Sequence, residues 1–163
     1  MIKSYFESEK KAAFIALAIG LAACSVASAI MISARPAFYM GLALALLSIG
    51  ILQIIVGTTV ARRSDFQALD LQKLLSDAPA DFVAVELPRM EKVMRSFKWY
   101  KWVEIVLLIL SLALIGLNQE AGFSKGLGIG LLIQSLIMLA FDFYAEKRGR
   151  EYSSFVDQTS AKL

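Results

Sequence analysis

Residues 37–60 read AFYMGLALALLSIGILQIIVGTTV, and this stretch decides the fold. It holds one strongly polar side chain, Gln53, whereas an amphipathic helix of a soluble protein brings a wet face round about every 3.6 residues. A run of roughly 17–25 apolar residues crosses about 30 Å of hydrocarbon as a helix, so Ala37 to Val60 predicts a membrane span. Working outward, the same reading applies to residues 12–33, 102–118 and 126–144. The prediction is an all-α, integral membrane four-helix bundle in a single membrane domain.

Composition agrees. Of 163 residues, 58% are apolar and 19% charged, with a mean hydropathy of +0.63, against about 45–50% and about 25% in a typical soluble domain. That excess excludes a disordered chain and argues against a water-soluble globule. With no histidine and one cysteine, zinc clusters, disulfide frameworks and His-dependent nucleophiles drop out. There is no Walker loop and no metal-ligand set. The glycines at 126, 128 and 130 resemble a phosphate loop in spacing alone, because no strand precedes them. No enzyme activity, metal or cofactor is expected.

Lysine and arginine set the orientation. Fifteen of the 17 fall in the N-terminal segment, residues 61–101 and the C-terminal tail, while Arg35 and Lys125 stand alone in the other two connections. The positive-inside rule then puts both termini and the 61–101 segment in the cytoplasm. Aromatics mark the expected interfaces, with Trp99, Tyr100 and Trp102 where the third span begins. The basic residues hug the membrane ends and are interleaved with acids, which points to topogenic charge and lipid contact and not to nucleic acid. Lys11 followed by an apolar run and Leu21-Ala22-Ala23-Cys24 resembles a lipoprotein signal, but the apolar run continues past it to Ile32, so Cys24 is expected inside a helix.

In the cytoplasmic segment, Ser64 and Gln67 have capping-box spacing, and Phe66, Leu69, Leu71, Leu74 and Leu75 form a stripe ending near Asp77-Ala78-Pro79. This predicts a short separate amphipathic helix. Phe82-Val83-Ala84-Val85 reads as a brief extended stretch. Pro88 suits a helix start, and Met90, Val93, Met94 and Phe97 predict one helix from about 88 into the third span.

Two sets of residues are candidate sites. Small residues that let helix backbones approach in lipid recur every fourth position as Ala12, Ala16, Gly20, Cys24 and Ser28, and again as Gly126 and Gly130. They serve packing within the chain, or they receive a partner helix or a second copy of the chain. Polar groups at depth are Gln53, Gln134, Glu104 and Asp142. An intramembrane carboxylate is costly unless paired or hydrated, so Glu104 and Asp142 are possible coupling acids, with pairing to Lys101, Lys147 or a neighbouring amide as the structural alternative.

The topology, together with Pro88-Arg89-Met90 through Glu104 and its Val93, Phe97, Tyr100 and Lys101, resembles small bacterial inner-membrane immunity proteins encoded beside pore-forming or type VI and Rhs secretion effectors. That resemblance implies a protein that binds a toxin in or at the bilayer; Ala16, Gly20, Cys24, Gly126, Gly130, Gln53 and Gln134, drawn from the spacing of small residues and the depth of polar ones, are the candidate contacts. An accessory subunit docking a soluble partner on its cytoplasmic stripes, or a small proton-coupled transporter or channel subunit, would share the composition.

Overall fold

A computed structural model describes residues 1–33, 36–117 and 120–163; Arg35 and the expected helix end at residue 118 lie outside them. Four helices follow in order: α1 (Ile2–Ile32), α2 (Ala37–Asp77), α3 (Pro79–Leu117) and α4 (Phe123–Ser160). Each contains a stretch long and apolar enough to cross a membrane. Only 11% of that stretch is buried inside the protein in α3 and 39% in α2. Apolar surface therefore faces outward, the arrangement lipid favours, and the chain is a multi-pass membrane protein built as a helical bundle.

The helices pack in the order α1, α2, α4, α3. The first and last two form antiparallel hairpins, and the hairpins meet through α2 and α4, which run parallel. Glycine explains the closeness. A Cβ on Gly20 would lie 2.7 Å from the Gly50 carbonyl oxygen, and one on Gly57 would lie 2.7 Å from that of Ala13, so α1 and α2 touch along their backbones. Gly126 abuts the Phe38 backbone and Gly41 that of Phe123, joining α2 to α4, while Gly128 faces Ser111 and Leu114 of α3.

All four helices run well past their apolar stretches at the basic end, and two sequence expectations fail there for one reason. The segment after Val60 is not a separate helix, because α2 continues unbroken to Asp77. No glycine or proline lies between Gly57 and Pro79 to break it, and Ser64 does not cap a helix start. Its hydroxyl instead donates to the Val60 carbonyl at 2.7 Å. Nor are residues 82–85 extended, since α3 starts at Pro79 and not near Pro88. Ala78, with φ −148° and ψ 76°, ends α2, and Pro79 opens α3, where a missing N–H costs nothing. Pro88 lies within α3 on an exposed face together with Ala84, so the carbonyl it leaves unbonded is open to solvent.

Burial overrides the strand propensity of Phe82-Val83-Ala84-Val85. Phe82, Glu86 and Met90 recur every four residues and are wholly buried. With Ile2, Tyr5, Phe6, Leu71, Tyr152 and Val156, Phe82 and Met90 build an apolar core outside the apolar stretches, to which every helix contributes. The bundle thus has two stacked parts, a glycine-seamed apolar layer and a cored helical extension.

Candidate functional site

Of the small residues singled out in the sequence, Gly20, Gly126 and Gly130 are buried, Ala12, Ala16 and Cys24 are half-buried, and Ser28 is exposed. Gly20 and Cys24 face α2, where the Cys24 thiol lies 4.0 Å from the Leu47 carbonyl, and the half-buried Ala16 shares their face. Gly126 and Gly130 face α2 from α4; a Cβ on Gly130 would meet that of Ala45 at 2.6 Å. These seams hold the bundle together and offer no free groove.

A different stripe is free. Ala18, Ala22, Ser25 and Ala29 of α1 are all exposed and recur at i, i+4, i+7 and i+11. Their angular position puts them opposite Gly20, on the side of α1 turned away from α2. Among the described residues α1 and α3 do not pack against each other, so the two flanking helices each keep an open lateral face. The glycine pattern of the sequence does not point to this stripe. Its signal was a second small-residue period in an alanine-rich helix, which becomes readable only once α2 is known to cover the first.

The two buried amides meet. Gln53 Nε2 donates to Gln134 Oε1 at 3.0 Å within the α2–α4 seam, tying the two hairpins together.

The two carboxyls also meet. Glu104 of α3 is 3% exposed and faces Asp142 of α4 within hydrogen-bonding reach. Both Glu104 oxygens and Oδ2 of Asp142 are buried without a donor. One helical turn nearer the basic end, Lys101 Nζ bonds Glu146 Oε2 at 2.5 Å, and Arg150 bonds the other oxygen of Glu146 at 2.6 Å. Those hydrogen bonds, from Lys101 first and then Arg150, hold Glu146 below the usual carboxylate range. Lys101 is therefore committed to Glu146, and the Lys101 and Lys147 pairings considered for the two acids give way to the Glu104–Asp142 contact.

In the helical extension, Glu86 is wholly buried and binds Arg89 through two hydrogen bonds of 2.5 and 2.6 Å. The guanidinium carbon stands 5.5 Å from the Phe6 ring centroid, and Tyr5 stacks on Tyr152 at 4.3 Å. Burial pushes Tyr5 up to about 12, and burial and the Glu86 carboxylate push Tyr152 higher still. In the sequence, the i, i+3 pair Glu86–Arg89 is the only local signal of this cluster. On the outer side of α3, Lys92, Arg95, Trp99 and Tyr100 line a shallow hollow where the apolar stretch begins, suited to lipid headgroups.

No protein-family model, curated protein or solved structure matches the chain.

Proposed function

We propose that the chain is a bacterial inner-membrane immunity protein, with both termini in the cytoplasm, that neutralises a membrane-active protein toxin by holding one of its helices in the bilayer. The observation that supports this reading is the outward small-residue stripe Ala18, Ala22, Ser25 and Ala29. In lipid, helices associate by close backbone approach and not by a hydrophobic drive, so a stripe of small side chains is where a foreign helix packs best. The chain's own fold already uses its glycine seams. A toxin helix seated on α1 is withdrawn from the assembly of a pore.

A second reading, an accessory subunit, is favoured by the cored helical extension, which presents a rigid platform to a soluble partner. Co-expression separates the two. Cells making the protein encoded by the neighbouring gene should depolarise and stop growing, and this chain should restore both growth and membrane potential. A harmless neighbour would favour the accessory subunit. Crosslinking through Ala22→Cys in a Cys24→Ser background would identify the helix that sits on the stripe, whether from a toxin or a second copy.

A further inference from the structure

We propose that Glu104 and Asp142 form a binding site for a single proton between α3 and α4. The antiparallel register of these helices places Gly149 against Phe97, Glu146 on Lys101, Asp142 on Glu104 and Gly128 against Ser111. At the Glu104 level two carboxyls face each other, and three of their four oxygens are buried with no donor. Buried acceptors without donors are destabilising, and two facing carboxylates repel as well.

Charge balance selects the ligand. Lys101 from α3 and Glu146 from α4 are the charged groups acting directly on the pair, and Arg150 is bound to Glu146. Among the described residues, α2, packed on α4, sets no charged group against it. Three acids, Glu104, Asp142 and Glu146, then oppose two bases, Lys101 and Arg150, leaving one negative charge. Both bases already bond Glu146. One proton removes the excess charge, turns one carboxyl into a donor for the other, and bonds α3 to α4. Losing it sets two carboxylates face to face and loosens the contact. The inference is independent of which protein occupies the α1 stripe.

Infrared spectroscopy of the full chain in dodecyl maltoside, a detergent without carbonyl groups, tests this. The expected result is a protonated-carboxyl carbonyl band at neutral pH that shifts in heavy water, is unaffected by sodium or potassium chloride, and is lost in both Glu104→Gln and Asp142→Asn. Absence of the band from the wild-type chain, or its persistence in either variant, overturns the proposal. Disappearance on adding salt at constant pH also overturns it, assigning the site to an alkali cation. The wild-type spectrum with and without salt decides the matter even where a variant does not fold.

Discussion

Gln53 of α2 and Gln134 of α4 share a hydrogen bond of 3.0 Å at the only place where the two hairpins exchange buried side-chain amides among the described residues. Because α2 and α4 run parallel, the bond fixes their relative height as well as their contact. Gln53 is 6% exposed and Gln134 1%, so neither amide can turn to lipid or water.

Replacing one partner therefore strands the other. Gln53→Leu and Gln134→Leu should each destabilise the bundle by roughly 0.6–2 kcal/mol, the range for hydrogen bonds between membrane helices. The double variant should lose less than the sum. A double-mutant cycle on detergent unfolding measures that coupling.

Glycine substitutions should divide by location. Gly126→Ala drives a methyl into the Phe38 backbone and should cost about 1–3 kcal/mol through overpacking. Gly116→Ala, whose added carbon meets nothing within 4 Å beyond its own stretch of helix backbone, should be neutral or stabilising by about 0.4–1 kcal/mol. Unfolding midpoints of the two variants check the contrast.

Breaking the buried Glu86–Arg89 pair from one side should be costly. Glu86→Gln leaves a half-buried guanidinium without its carboxylate, a change on the order of 3–5 kcal/mol. The double variant Glu86→Leu/Arg89→Leu should recover most of that loss. Thermal unfolding of the three variants distinguishes these outcomes.

Alkaline pH should destabilise the same core. Tyr5 is raised from its ordinary 10.0 to about 12 by burial, so the folded state favours the neutral phenol. Its contribution is complete below pH 10 and is lost as pH rises toward about 12, with Tyr152 acting in the same direction. Tyr5→Phe should flatten the fall in stability over that window, as read from unfolding midpoints at a series of alkaline pH values.

The membrane character was legible because hydropathy acts residue by residue, and residues 37–60 needed no partner to be read. Ser64 and Pro88 misled because a capping box and a proline at a helix start are local signals, while α2 and α3 continue through them under the pull of a core shared by four helices. The acids Glu104 and Asp142 were legible as unusual. That they face each other depends on the register of α3 against α4 across a sequence separation of 38, which no local pattern encodes. The glycine stripes likewise showed that seams exist without showing which helix fills each one.

The proposed function seats the helix of a membrane-active toxin on the outward face of α1. Its most direct test is membrane potential in cells co-expressing the neighbouring gene with the wild-type chain or with Ala22→Leu. The Ala22 side chain is exposed on the side of α1 turned away from α2, so the larger residue should leave folding and membrane insertion intact. The wild-type chain should preserve the potential, and Ala22→Leu, present in the membrane at the same level, should not. Full protection by membrane-inserted Ala22→Leu would contradict the proposed function.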